Sequence, residues 1–121
     1  MASDKSIWIT DRFTRLHHWP DAPADVGFLR HPHRHVFVIR VWIKVEHNDR
    51  DVEFFQAKRI LRSICAEWDD PYLEFEAVRA SCEDIAEDIL TKMRARYYST
   101  CYKVEVSEDG ENGAEVVYVP G

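Results

Sequence analysis

Three histidines at alternate positions open the most regular segment of the chain, "RHPHRHVFVIRVWIKV". They are His31, His33 and His35, and the β-branched and aromatic residues that follow them predict a β-strand. Side chains alternate between the two faces of a strand, so the three imidazoles share one face. Imidazole is a preferred zinc ligand, and two rings at positions i and i+2 can share one ion. The alternative is a polar strand start with no metal role.

The residues that follow the histidines favour a metal site. His33 and His35 have the same parity as Phe37 and Ile39, which begin the apolar face of the predicted strand. Both imidazoles are therefore expected to point toward an enclosed face, where a neutral ring needs a polar partner or a metal ion. Because His33 and His35 share a strand face with residues expected to be buried, they favour a metal site more strongly than an isolated H-x-H pair does.

A catalytic zinc site usually takes three protein ligands, so a third residue is needed. His17 and His18 end the preceding predicted strand, which is expected to pair with the strand of His33, and either ring could approach across the ladder. His31 has the same parity as His33 and competes for the same role. His47 lies in the polar turn "HNDRD" and is expected to be solvated.

The elements that must position these residues follow the order strand, strand, helix, helix, strand, strand. Hydrophobic periodicity predicts strands over 7–15 and 33–45, helices over 55–68 and 81–97, and strands around 102–106 and 114–118. Ser81 is a suitable N-cap, with Asp84 as its capping partner. The segment "HHWPDAPADVGF" is expected to be a loop. The pattern predicts one α+β domain over residues 1–121, an antiparallel four-stranded sheet with both helices on one face.

Length, charge and cysteine spacing exclude several classes of protein. A chain of 121 residues fits one domain, and its net charge of −6 argues against nucleic acid as a partner. The three cysteines include no C-x-x-C pair, which disfavours a disulfide framework or a zinc knuckle. No apolar run reaches the roughly 18 residues that span a membrane, and the N-terminus lacks the pattern of a signal peptide. A cytoplasmic protein is expected.

The histidine motifs resemble those of the 6-pyruvoyl-tetrahydropterin synthase family, which includes the 6-carboxytetrahydropterin synthases. The segments concerned are F-x-x-x-H in "FTRLH" and H-x-H followed by alternating aliphatic residues in "HRHVFVIRV". The resemblance implies the T-fold and a zinc ion held by His17, His33 and His35. Phe37 matches an aromatic position of the family and selects this pair of strand histidines over His31 and His33.

Two further segments are similar to ligand-binding motifs of the family. "ASCEDIAEDIL" resembles a helix start that places Ser81 near a threonine and Glu83 on a glutamate of the family. "YKVEVSED" resembles the strand whose final glutamate anchors the pterin ring, which implies Glu108. A carboxylate there could accept hydrogen bonds from the amino group and the ring N–H of a pterin or guanine. Taken alone, Glu108 is equally consistent with a solvated turn residue.

The chain departs from the family at the residues that transfer protons. The family cysteine falls near Leu29, where "VGFLRHP" contains no cysteine, and Arg34 replaces the glycine of H-G-H. The family's Asp-His pair falls near "EWDDPY", where Asp69 or Asp70 matches the aspartate and no histidine follows. The remaining candidates for a catalytic base are Asp69, Asp70, Glu83 and a zinc-bound hydroxide.

The sequence is consistent with three functions. The first is a zinc-dependent carbon–oxygen lyase of the tetrahydropterin-synthase type, acting on a pterin or a deazaguanine-pathway intermediate. The second is a T-fold that binds a pterin or purine without catalysis, and the third is an oligomeric protein with structural zinc. A four-stranded sheet leaves two open edges, which predicts an oligomer. The resemblance implies a homotrimer or a homohexamer.

Overall fold

Four antiparallel strands and two α-helices form the framework of residues 3–121, the part of the chain that this computed structural model describes. The elements in chain order are β1 (Lys5–His17), β2 (His33–Val45), α1 (Phe54–Cys65), α2 (Cys82–Arg96), β3 (Cys101–Glu108) and β4 (Asn112–Val117). The strands are ordered β1-β2-β3-β4, and each pairs antiparallel with the next. The predicted α+β class and element order are confirmed.

The helices cover one face of the sheet, and the core lies between these two layers. Residues of one strand parity are buried on this face; they are Ile9, Phe13, Phe37, Ile39, Val41, Ile43, Val104 and Val106. The helices contribute Leu61, Ile64, Ile85, Ile89 and Met93 to the same core. The other parity remains more accessible, and there the Arg40 guanidinium lies over the ring of Trp8. The alternation in the sequence therefore identified the inward face of the sheet correctly.

The boundaries of β1 and of the loop after it differ from the prediction. β1 reaches His17 because it pairs with β2 along its whole length, from Lys5 opposite Val45 to His17 opposite His33. The segment predicted as a loop contains a 3-10 helix at Ala24–Arg30. Pattern analysis missed this short helix because it has no buried residue and therefore no apolar periodicity.

The start of α2 is tied to the end of β1. Ser81 is the N-cap, and its hydroxyl accepts the Asp84 N–H while its own N–H donates to the Asp84 carboxylate, as predicted for a capping box. Just before the cap, Val78 forms a parallel bridge with His17, and the Val78 N–H donates to the Leu16 carbonyl. The first turn of α2 is therefore held beside the histidine end of the sheet.

The three cysteines are buried thiols rather than members of a disulfide. Burial raises the pKa of the Cys65 thiol to about 12 and that of Cys101 to about 11, so both behave as small apolar residues. Within residues 3–121, no helix combines the length and the apolar character needed to cross a membrane.

Candidate functional site

Three histidine side chains meet where β1 ends and β2 begins. His17 lies directly opposite His33 in the strand ladder, and His35 lies two residues further along the same face of β2. One nitrogen from each ring lies within 4.8 Å of the others. The ring centres are 4.5 Å apart for His17 and His33 and 5.1 Å apart for His33 and His35. The two strands thus bring together the three residues that the resemblance implied as zinc ligands.

Hydrogen bonds determine which nitrogen each ring presents to the cluster. In each ring Nδ1 contacts an oxygen that can only accept; the pairs are His17 with the Ala80 carbonyl at 3.1 Å, His33 with the His31 carbonyl at 2.8 Å, and His35 with Asp109 Oδ2 at 2.6 Å. Each Nδ1 must therefore carry a hydrogen. A neutral ring then has its lone pair on Nε2, the nitrogen that zinc would bind.

His17 shows most directly that this cluster fits a metal ion. Its side chain is almost fully buried, and burial lowers its pKa below the ordinary value, which favours the neutral ring. Its Nε2 is buried without a hydrogen-bond partner. Oε2 of Glu108 lies 3.1 Å away but is not aligned as a hydrogen bond. A buried lone pair facing other imidazole nitrogens is satisfied by a cation, so the donor set fits zinc.

A cavity of about 630 Å³ adjoins the histidine cluster, a volume typical of small-molecule sites. It lies between the end of β1, the start of α2 and the adjoining ends of β3 and β4. Its walls include His17, His33, Trp19, Ser81, Glu83 and Glu108. All three residues predicted to bind a substrate therefore line the cavity that adjoins the predicted metal ligands.

Glu108 lines the cavity and lies beside two of the clustered histidines. Its Oε2 lies 3.1 Å from Nε2 of His17 and 3.7 Å from Nε2 of His35, while its Oε1 accepts a hydrogen bond from the Asn112 side-chain amide at 3.0 Å. The carboxylate is partly exposed. Two oxygens held in this way keep lone pairs available for further donors, so Glu108 can accept hydrogen bonds from a ligand in the cavity.

Cys82 is the only cysteine among the described residues that lines this cavity. Burial is the main cause that raises the pKa of its thiol to about 12, and the negative charge of Glu108 adds to the effect. The reactive form of a cysteine is the thiolate, which this environment disfavours.

Asp69 and Asp70 have structural partners away from the cavity. Asp70 is buried, and its two carboxylate oxygens accept the backbone N–H groups of Glu74 and Phe75. Asp69 accepts the Thr14 N–H and a guanidinium N–H of Arg62. Within the described chain, neither carboxylate lines the cavity beside the histidines. The catalytic role suggested for this pair stays a prediction that the geometry does not favour.

Replacing Asp70 by alanine is expected to destabilise the protein without changing its metal content. Two backbone N–H groups lose their carboxylate acceptor, and a hydrogen bond to a charged group contributes about 1.5–3 kcal/mol. Urea denaturation of Asp70→Ala against Asp49→Ala measures this effect, because Asp49 carries the same charge on an exposed turn. Wild-type stability combined with lost metal binding would instead place Asp70 in the site.

The other histidines occupy different positions. His18 also lines the cavity, and its backbone N–H donates to the Val78 carbonyl. His31 contributes its carbonyl oxygen to the orientation of His33, and its side chain is exposed. His47 is exposed beside Asp51, as predicted. The nitrogens of these three rings do not belong to the compact cluster found in the described residues.

Sequence analysis missed several polar and aromatic residues of the site. Trp19 is half-exposed on the cavity wall, and Arg79 pairs with Asp21 at 3.1 Å where both line the cavity. Asn112 holds Glu108 from β4. These residues come from irregular segments or strand ends, where no periodicity marks an inward face. The residue types in "SEDGENG" are typical of a turn, but they do not show that the Asp109 side chain reaches His35.

Solved structures share this architecture. The chain superposes on 6-pyruvoyl tetrahydropterin synthase from Caenorhabditis elegans with a TM-score of 0.71 at 18% sequence identity, covering 97% of each chain. It also matches an uncharacterized protein from Wolinella succinogenes with a TM-score of 0.73 at 17% identity, covering 96% of this chain and 99% of the other. At these identities, the two matches establish the T-fold.

Comparison with curated proteins finds no match. The family model described as 6-pyruvoyl tetrahydropterin synthase matches residues 6–118, which include both histidine motifs, the start of α2 and the strand that ends at Glu108. A match over nearly the whole chain, on the fold and residue cluster described above, assigns the family. The chain belongs to the 6-pyruvoyl tetrahydropterin synthase family.

Proposed function

We infer that the protein binds one zinc ion through His17, His33 and His35 and acts as a lyase on a pterin-like or purine-like substrate. The observation that carries this proposal is the set of three imidazoles whose Nδ1 atoms are occupied, next to a cavity that contains Glu108. Family membership supports the lyase class. When bound, zinc would supply a Lewis acid that polarises an oxygen of the substrate side chain.

The cavity offers complementary groups for a flat, hydrogen-bonding ring. Glu108 presents acceptor oxygens that match adjacent N–H donors, such as the amino group and the ring N–H of a pterin or guanine. The Ser81 hydroxyl accepts the Asp84 N–H, which leaves its hydrogen free to donate to a ligand. Trp19 provides an aromatic surface on the same wall. Together these groups support the anchoring of a heteroaromatic ring with its substituent toward the histidines.

Glu108→Gln is expected to weaken binding of such a ring by about one to two decades. An amide retains one acceptor and introduces a donor, so one ligand N–H loses its partner at a cost of roughly 1–3 kcal/mol. Calorimetric titration of neopterin and guanosine into the wild type and the variant measures the change. Glu105→Gln is the matched control, because Glu105 lies on β3 but does not line the cavity in the described chain. Equal affinity in Glu108→Gln and the wild type would make Glu108 a solvated turn residue.

Glu83 is the carboxylate best placed to accept a substrate proton. Of the three carboxylates that remained as candidate bases, Glu83 lines the cavity, whereas Asp69 and Asp70 are bound to backbone and guanidinium groups elsewhere. Glu83 lies in the first turn of α2, which places its side chain on the cavity wall. A carboxylate at this position can act as a general base.

Incubation with dihydroneopterin triphosphate tests the lyase proposal. The zinc-loaded wild type is expected to release triphosphate, and Glu83→Gln is expected to do so roughly 10²- to 10⁴-fold more slowly because it cannot accept the proton. Glu87→Gln, one turn further along α2, is the control of equal charge change. A wild type that binds neopterin but releases no triphosphate would favour the second candidate, a binding module. That candidate is supported by the absence of a cysteine near Leu29.

The open edges of the sheet support assembly into a homotrimer or homohexamer. β1 and β4 are the edge strands. Exposed apolar side chains accompany both edges, with Phe54 and Phe55 beside β1 and Tyr118 and Val119 after β4. Pairing of one subunit's β1 with the next subunit's β4 would satisfy free backbone groups and bury these side chains.

The three unpaired thiols support a cytoplasmic location, since reducing compartments keep cysteines reduced.

A further inference from the structure

The carboxylate of Asp109 makes the shortest hydrogen bond at the histidine cluster. Nδ1–H of His35 donates to Oδ2 of Asp109 at 2.6 Å, compared with 2.8 Å and 3.1 Å for the bonds that orient His33 and His17. A bond this short between a ring N–H and a carboxylate is typical of a charge-assisted hydrogen bond. Asp109 does not contact the other two rings and is not part of the predicted ligand set.

The turn after β3 holds this carboxylate in a fixed position. Asp109 and Gly110 have φ angles of 56° and 75°, and the Glu111 N–H donates to the Glu108 carbonyl across them. Two central residues with positive φ are the requirement of a type I′ turn, for which Asp-Gly is a preferred pair. Asp109 is also bound to β2 twice, through its N–H to the Val36 carbonyl and through its Oδ1 to the Val36 N–H. The second carboxylate oxygen therefore has one orientation, facing His35.

The three rings differ in what orients them. The acceptors for His17 and His33 are backbone carbonyls, which remain when a side chain is replaced. The acceptor for His35 is a side chain. A carboxylate oxygen can only accept, so it requires the hydrogen of His35 on Nδ1 and leaves the Nε2 lone pair facing the cluster.

We propose that Asp109 is the positioning residue of the metal centre, because its carboxylate fixes the tautomer and ring orientation of His35 for zinc binding. This proposal rests on the proposed zinc function. Outer partners of this kind raise metal affinity by about 10- to 100-fold in proteins whose ligands are histidines. Asp109 does not itself bind the ion.

Asp109→Asn separates the positioning role from a structural role in the turn. Asparagine accepts a positive φ readily, and its oxygen can still accept the Val36 N–H, so the turn is expected to persist. Its amide group then faces Nδ1 of His35 as a donor, which favours the tautomer with the hydrogen on Nε2. Zinc would have to compete with that hydrogen.

Three measurements test the proposal at one fixed pH. Competition with a chelator gives the zinc dissociation constant, which is expected to rise about 10- to 100-fold in Asp109→Asn. The visible spectrum of the cobalt-substituted protein is expected to change, because the His35 ring moves. Nitrogen-15 NMR of the metal-free proteins is expected to show the His35 hydrogen on Nδ1 in the wild type and on Nε2 in the variant. Glu111→Gln is the matched control, since it removes one negative charge from the same turn without contacting His35.

The possible outcomes distinguish a failure of the Asp109 proposal from a failure of the proposed metal site. Zinc affinity within threefold of the wild type, with an unchanged His35 tautomer, would overturn the positioning role of Asp109. Equal weakening in Glu111→Gln would also overturn it, because net charge and not the hydrogen bond would be the cause. A wild type that binds no zinc would overturn the proposed metal function and the positioning role with it, whereas weak zinc binding in Asp109→Asn alone would leave the metal function intact. Equal thermal unfolding midpoints in the metal-free proteins show that the turn is intact.

Discussion

Replacing His33 by alanine is expected to reduce bound zinc from one ion per chain to near zero. The variant removes one of three nitrogens that lie within 4.8 Å of one another, and two histidines are fewer protein ligands than a stable zinc site uses. The core should be little affected, because His33 is partly exposed at the start of β2. Elemental analysis of protein purified without chelators, expressed as zinc per chain, measures the effect.

His31→Ala is the matched control for this experiment. The same substitution two residues earlier leaves the His31 carbonyl in place, and that carbonyl is the group that orients His33. His31→Ala and His18→Ala are therefore expected to retain zinc. If His33→Ala keeps its zinc while His31→Ala or His18→Ala loses it, the zinc ligands are not the set of His17, His33 and His35.

Replacing Phe37 by alanine is expected to lower the free energy of unfolding by about 3–5 kcal/mol, the usual cost of truncating a large buried aromatic residue. Phe37 is fully buried and stacks on Phe13 with ring centres 5.2 Å apart. Phe37 also packs against two of the clustered histidines, since its ring centre lies 5.2 Å from that of His17 and 5.9 Å from that of His35. Zinc affinity is therefore expected to fall together with stability.

Urea denaturation of the metal-free proteins measures the first effect, and chelator competition measures the second. Phe28→Ala serves as the control, because Phe28 is 71% exposed and its truncation should change stability by less than about 0.5 kcal/mol. Phe37→Leu keeps most of the buried volume and provides a folded variant if the alanine variant does not fold. A Phe37→Ala protein as stable as Phe28→Ala would contradict the packing described for β2.

The inward face of β2 was predictable because Phe37, Ile39 and Val41 share one parity that is apolar throughout, whereas the other parity is mixed, and all three are fully buried. The same alternation placed His33 and His35 on that face, since a strand repeats every two residues. Ser81 and Asp84 predicted the start of α2 through local capping chemistry, which depends on neighbours in sequence. Local patterns of this kind predicted most of the element order and two of the three clustered histidines.

The remaining features depend on contacts between residues far apart in the chain. The choice of His17 over His18 follows from the register that pairs His17 with His33, and the residues alone left both open. Asp69 and Asp70 looked available for catalysis because the sequence does not show that Thr14, Arg62 and the 74–75 backbone bind them. The resemblance to a family selected His17 correctly for the cluster, but family position could not reveal these hydrogen bonds.

The position of Asp109 was also beyond the reach of local patterns. Its residue type and the glycine after it are explained by the turn alone. That its side chain crosses to β2 and meets His35 depends on the pairing of β3 with β2. Asp109 therefore both forms the turn and binds His35, and the sequence alone indicates only its role in the turn.

Native mass spectrometry of the purified protein counts zinc ions and chains in one measurement. We predict one zinc ion per chain in an assembly of three or six chains. A monomer, or an assembly without zinc after purification in zinc-containing medium, would contradict the proposed zinc-containing oligomer. The cluster of His17, His33 and His35 would then be an arrangement of histidines that holds no metal ion.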